Sequence, residues 1–209
     1  MTPVVDDYGW AGTAPTSSAA YLIAPLVREL QKAGGKRVID LGCGNGAVSH
    51  VLQNRGFEVV GCDTDARGIE LASRTASGAK FARVGLQDPP ELLGQLGFDA
   101  AVSTEVIEHL FEPRALPRFA ARVLKPDGLL VVSTPYHGWL KNVLIALAGR
   151  WDEHHSSLRD GGHIKFWSYR TLSRLLREEG FTIERFTGAG RLPWIWKSMV
   201  VTARLSSVP

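Results

Sequence analysis

The stretch VIDLGCGNG, residues 38–46, decides the fold. Val38, Ile39 and Leu41 form a strand-like apolar run that breaks into a glycine-rich turn, handing the chain to a helix. A turn of this kind brings backbone N–H groups close to a nucleotide-derived ligand at the helix start. Gly42, Gly44 and Ala47 satisfy the permissive dinucleotide spacing G-x-G-x-x-G/A, which points to a nicotinamide or flavin. The same letters satisfy the looser glycine loop of a methyl-donor site. Asp40 separates the two. A carboxylate two residues before Gly42 repels a pyrophosphate but suits S-adenosylmethionine, which carries an ammonium and a sulfonium. The competing assignment makes Asp40 a simple cap of the turn. Asp63, at the end of the next strand, stands where a carboxylate accepts hydrogen bonds from ribose hydroxyls, a role both ligand classes share.

Outward from this loop, short apolar runs alternate with helical patterns, the mark of an α/β parallel sheet covered by helices. KRVIDLG, FEVVGCD, AKFARVG, GFDAAVST and DGLLVVST read as five strands in chain order. NGAVSHVLQNRG is a helix closed by Gly56, and DARGIELASR is the next. PRALPRFAARVLKPDG is a helix whose exit turn is set by Pro126 and Gly128. SYRTLSRLLREEGF is a helix capped by Ser168 and closed by Gly180, with Leu172, Leu175 and Leu176 on one face. FTIERFTG and WKSMVVTARL follow as two strands, and the short connection between them predicts an antiparallel pair. Two segments stand outside the alternation. Residues 1–35 hold Tyr8, Trp10 and Tyr21 and an amphipathic stretch in which Pro25 should bend or start a helix. Residues 136–167 are an insertion between strand five and the Ser168 helix.

The 209 residues suffice for one α/β domain and are short for two. With 44% hydrophobic and 22% charged residues, the composition is that of an ordinary globular chain. The balance of 24 basic against 21 acidic residues, a net charge of +3 without a basic block, gives no case for a nucleic-acid partner. Cys43 and Cys62 lack ligand spacing and read as reduced, small apolar residues. Neither a signal peptide nor a membrane span is present in the pattern, so a cytoplasmic protein is expected.

Together VIDLGCGNG, VVGCDTD, FDAAVSTEVIEHL and LKPDGLLVVSTP resemble class I S-adenosylmethionine-dependent methyltransferases, and within them the UbiG-like small-molecule group. The resemblance covers roughly residues 36–135. It implies a Rossmann-like, seven-stranded, mostly parallel sheet with an antiparallel last strand and helices on both faces. It also implies that Asp40, Gly42, Gly44 and Gly46 frame the methionine part of the cofactor, that Asp63 holds the ribose, and that Thr64, Leu86 and Gln87 border the adenine. One departure stands out. Where many members place an acid after strand three, this chain has Leu86 and Gln87, with Asp88 slightly late.

Acceptor chemistry belongs beyond the carboxyl ends of strands four and five. If a helix begins at EVIEHL, then Glu105, Glu108 and His109 share one face. Glu105 then meets the cofactor's methionine end or the active-site floor, and His109 is a candidate base; the three are chemically competent to hold a divalent cation, though no metal is expected. His137, in STPYHGW, is a further candidate base, beside an apolar wall of Tyr136 and Trp139. His163, in DGGHIKFWS, is the leading candidate base, with Gly161 and Gly162 permitting tight turns; otherwise it locks the insertion to the sheet. Trp139, Val143, Leu144, Leu147 and Trp151 fall on one helical side, as core or as a lid over an apolar acceptor, ahead of peripheral membrane contact through 139–151. DEHH, residues 152–155, reads as solvated surface. The expected activity is methyl transfer from S-adenosylmethionine to a hydroxyl oxygen of a small molecule. The alternatives are a non-catalytic binding protein with this fold and a nicotinamide oxidoreductase, the latter disfavoured by Asp40 and Gly46.

Overall fold

Strand β1 (Arg37–Leu41) is buried on both faces, and this places it in the middle of the sheet. The computed structural model describes residues 9–10, 12–15, 17–75, 77–155 and 162–206. Helix α1 (Ala19–Ala33) precedes β1. After β1 come α2 (Ala47–Asn54), β2 (Glu58–Asp63), α3 (Ala66–Arg74), β3 (Lys80–Arg83) and β4 (Phe98–Thr104). Then follow α4 (Ala115–Val123), β5 (Leu124–Pro135), α5 (Trp139–Leu147), α6 (Trp151–His155), α7 (Tyr169–Glu178), β6 (Phe181–Ala189) and β7 (Ser198–Leu205).

The described strands form one seven-stranded sheet in the order β3-β2-β1-β4-β5-β7-β6. β1 pairs in parallel with β2 on one side and β4 on the other, so the strand order reverses there and opens a crevice at the carboxyl ends. β7 runs antiparallel to β6, as the short final connection predicts, and antiparallel to β5 as well. Alternation of side chains along the strands builds two cores. Ile39, Leu41, Ala101 and Leu130 pack with Phe119 of α4 and Leu172 and Leu176 of α7. Val38, Val102 and Val131 pack with Leu22, Leu26 and Leu30 of α1 and Leu52 of α2 on the other face.

Two local expectations need correction and a third is resolved. The turn expected at Pro126–Gly128 is an irregularity inside β5. The register against β4 jumps from Phe98↔Leu124 to Ala100↔Leu129, and Asp127 takes φ 59° while its carbonyl accepts from Arg204 Nη1 at 2.7 Å. Of the two positions open to Pro25, the structure takes the interior of α1 and not its start, with Leu22, Leu26, Val27 and Leu30 buried around it. EVIEHL forms only a 3₁₀ turn over Ile107–His109, and Glu105 stands outside it at φ 55°. Tyr8 and Gly161 lie outside the described residues.

Candidate active site

The loop after β1 carries the residues expected to meet the methyl donor. Asp40 is fully buried; its Oδ2 accepts from Ser49 Oγ at 2.6 Å, and its Oδ1 has no hydrogen-bond partner. Burial pushes its carboxyl up to about 6. A buried carboxylate with a spare oxygen fits a cationic group, the ammonium of the expected methyl donor included. Gly42, Gly44 and Gly46 all have positive φ. At Gly44 (φ 50°) a Cβ would also lie 2.3 Å from the Trp10 ring, so the loop needs glycine for conformation and for space.

Asp63 organises this loop. Its Oδ2 accepts from Gly44 N at 2.8 Å and its Oδ1 from Asp65 N at 2.9 Å. Each oxygen keeps a second lone pair for a hydroxyl donor. The N-terminal segment folds over the loop: Asn45 Nδ2 donates to Gly12 O at 2.8 Å and Ala14 O at 3.0 Å, and Arg67 Nε to Trp10 O at 3.2 Å. At the third expected position, Asp88 turns back on its own loop, accepting from Gly85 N at 2.7 Å. Leu86 is half-buried, Gln87 is exposed, and Thr64 packs against Gly85.

At the carboxyl ends of β4 and β5, Glu105 is held by two serines. Ser133 Oγ donates to Oε1 at 3.0 Å and Ser198 Oγ to Oε2 at 3.1 Å, while Tyr21 and Ser198 hydroxyls pair at 3.2 Å. Glu108 is buried; Thr134 Oγ1 donates to its Oε2 at 2.9 Å, and Oε1 has no hydrogen-bond partner. Burial raises both carboxyls, and Glu105 raises Glu108 further. Ile164 N and Lys165 N donate to Glu108 O at 2.9 and 3.0 Å, which docks the GHIKFW segment, residues 162–167, on the 3₁₀ turn. His163 Nε2 thereby comes within 3.9 Å of Glu108 Oε1, and the His109 and His163 rings meet edge to face at 4.9 Å. Glu108, His109 and His163 bring ligand-type atoms within 4.8 Å of one another. The grouping of Glu105, Glu108 and His109 on one face does not form: the left-handed Glu105 falls out of register, and His163 stands with Glu108 and His109 instead.

His137 is buried and stacks with His155 at 5.6 Å, and its ring also meets His154 and Phe166. Burial and the nearby Lys141 push His137 down to about 4. DEHH is thus not wholly solvated surface, because α6 returns both of its histidines to His137. The apolar stripe is not core. Trp139, Val143, Leu144, Leu147 and Trp151 are all exposed, and among the described residues of α5 the buried one is Lys141. Trp139 accordingly builds no wall beside Tyr136. Sequence reasoning missed Lys141, although a lone charge inside WLKNVLIAL was its signal. Ser133 and Ser198 carried none.

A model of the methyltransferase domain matches residues 17–185. The chain belongs to this methyltransferase family. A ubiquinone biosynthesis O-methyltransferase from Bradyrhizobium diazoefficiens is 32% identical over 181 residues, covering 80% of this chain and 67% of that protein. One from Cereibacter sphaeroides is 36% identical over 115 residues, covering 54% of this chain and 44% of its own length. This methyltransferase thus spans under half of some relatives it matches. Magnesium protoporphyrin IX methyltransferase from Synechocystis, solved with bound SAH, shares the fold with a TM-score of 0.67 at 21% identity, over 88% of this chain and 82% of that one. The methyltransferase uses S-adenosylmethionine as its methyl donor, and neither the non-catalytic nor the nicotinamide alternative is favoured. Among its described residues no helix is long and apolar enough to cross a membrane.

Proposed function

We propose that this methyltransferase methylates a hydroxyl oxygen of a small-molecule acceptor, as the names of its O-methyltransferase relatives suggest. The observation that carries the proposal is the cluster of Glu108, His109 and His163 at the carboxyl edge of β4, beside the donor loop. S-adenosylmethionine supplies a methyl group already activated by its sulfonium, so the protein must align the acceptor and take up its proton. Asp40 faces the ammonium and Asp63 the ribose, with Gly42, Gly44 and Gly46 allowing close approach. Thr64, Leu86 and Gln87 border the adenine, and Glu105 forms the floor. His163, oriented by Glu108, accepts the hydroxyl proton; His109 positions it, and His137 serves as a pocket wall. The chain is taken as one methyltransferase domain, with residues 1–35 capping the donor and 136–167 covering the acceptor.

A second role for the cluster is favoured by Glu108 Oε1, which is buried without a hydrogen bond and has His163 Nε2 at 3.9 Å. Glu108, His109 and His163 would hold a divalent cation, which would acidify the acceptor hydroxyl as a Lewis acid. The exposed stripe of α5 and Trp151 suits peripheral contact with a membrane surface that carries an apolar acceptor.

The test is calorimetric titration with S-adenosylhomocysteine and with NAD, followed by transfer of labelled methyl to catechol with and without a chelator. Binding of the former alone, with label on oxygen, supports the function; NAD binding or an unlabelled acceptor overturns it. Loss of turnover in chelator assigns the cluster to a cation, and unchanged turnover leaves it to His163 as base.

A further inference from the structure

Helix α5 is amphipathic in the reverse sense to a packing helix. Its apolar residues Val143, Leu144 and Leu147 face outward, and Lys141 is directed inward with 6% of its surface exposed. Burying an ammonium is costly unless its donors are met. Among the described residues, Lys141 Nζ has one hydrogen bond, a long 3.3 Å contact to Lys197 O, and no carboxylate is within ion-pair distance. Two of its three donors are left for something else.

The surroundings give the sign of that partner. Lys141 senses Glu105 and Arg191 electrostatically, and its own charge acts on His137, His154 and His155. The Lys197 ammonium lies 5.5 Å from the Tyr21 ring centroid, and Tyr21 is tied through Ser198 to Glu105. The anionic candidate acting on Lys141 is Glu105; each of its oxygens accepts from one serine hydroxyl, it lies beyond ion-pair distance, and burial favours its protonated form. Arg191 disfavours the Lys141 charge more strongly than Glu105 favours it, so the electrostatic balance at the lysine is positive. The lysine itself is held down at about 8 by burial, so a bound anion would stabilise its charged form.

We propose that Lys141 is an acceptor-binding residue whose ammonium receives an oxyanion of the acceptor, either a ring carboxylate or a phenolate oxygen. The proposal rests on the O-methyltransferase function above and narrows its substrate class to acidic acceptors. It explains why α5 spends its inward position on a lysine in an otherwise apolar run.

Calorimetry on the S-adenosylhomocysteine complex tests the proposal without turnover. The probes are protocatechuate, which has a carboxylate, and protocatechuyl alcohol, its neutral analogue. Binding of protocatechuate at least about tenfold tighter than the alcohol, with the difference lost in Lys141→Met and restored in Lys141→Arg, assigns the carboxylate to Lys141. Equal weakening of both probes in Lys141→Met, again restored by arginine, assigns the phenolate. Unchanged binding in Lys141→Met, weakening that arginine does not restore, or no binding of either probe by the native complex overturns the proposal. Binding of S-adenosylhomocysteine is measured first in every variant. Its loss in the native protein counts against the methyltransferase function, whereas retained cofactor binding with no probe discrimination counts against Lys141 alone.

Discussion

Ser49 Oγ lies 2.6 Å from Asp40 Oδ2 and leaves Oδ1 of the same buried carboxylate without a hydrogen-bond partner. The carboxyl is raised from 3.8 to about 6, so the folded state holds its proton over a pH range where the unfolded chain releases it. The resulting cost is absent below about pH 4, grows through about pH 6 and is complete above it, amounting to about 3 kcal/mol at roughly 1.4 kcal/mol per pH unit. Asp40→Asn should therefore stabilise the ligand-free protein above pH 6 and not below pH 4, as read by denaturant unfolding at both. The same variant should bind S-adenosylhomocysteine about 10–100-fold more weakly, the worth of one charge-assisted contact. Higher affinity would show that Asp40 does not face the ammonium.

Gly44→Ala should weaken cofactor binding by at least about tenfold and destabilise the fold by about 1–2 kcal/mol, since it forces a Cβ into a left-handed position. The added atom would also meet Trp10 at 2.3 Å. Adding Trp10→Ala removes the collision but not the backbone strain, so the double variant should recover part of the stability. Thermal melting of the three variants separates the two contributions.

His163→Ala and Glu108→Gln should each lower kcat by about 10²–10⁴-fold while leaving S-adenosylhomocysteine affinity within about twofold. A base assignment fails if His163→Ala turns over at the native rate. His109→Ala, which removes a contact to Gly162 O at 3.2 Å, should cost less.

Leu147, 81% exposed, and Trp139, 75% exposed, contribute little to packing. Leu147→Glu and Trp139→Glu should shift stability by no more than about 0.5 kcal/mol. If the α5 face meets a membrane, both should abolish co-sedimentation with anionic phospholipid vesicles. Undiminished vesicle binding would assign membrane contact to another face.

The geometry of the β1 loop was legible because its requirements are local. Gly42, Gly44 and Gly46 each need positive φ, and Asp40 and Asp63 sit at fixed distances from them along strands whose apolar runs are unmistakable. The acceptor half is assembled from distant segments. His163 reaches Glu108 through backbone hydrogen bonds across more than fifty residues, and Ser198 arrives from β7. Glu105 takes a left-handed conformation without being glycine, so a regular helix was the natural expectation for EVIEHL. Burial of Lys141 inverts the ordinary rule for an apolar helix, which is why the stripe of α5 was expected to face inward.

β7 lies between β5 and β6, although it follows both in the chain. The sheet is therefore closed from within, by an insertion rather than by addition at a rim. During synthesis the parallel half can assemble while Leu129, Leu130, Val131 and Val132 of β5 still present an open edge. That edge waits for Ser198–Leu205, about seventy residues downstream. Refolding should pass through a long-lived stage prone to strand-to-strand association, and a short peptide copying β7 should capture it.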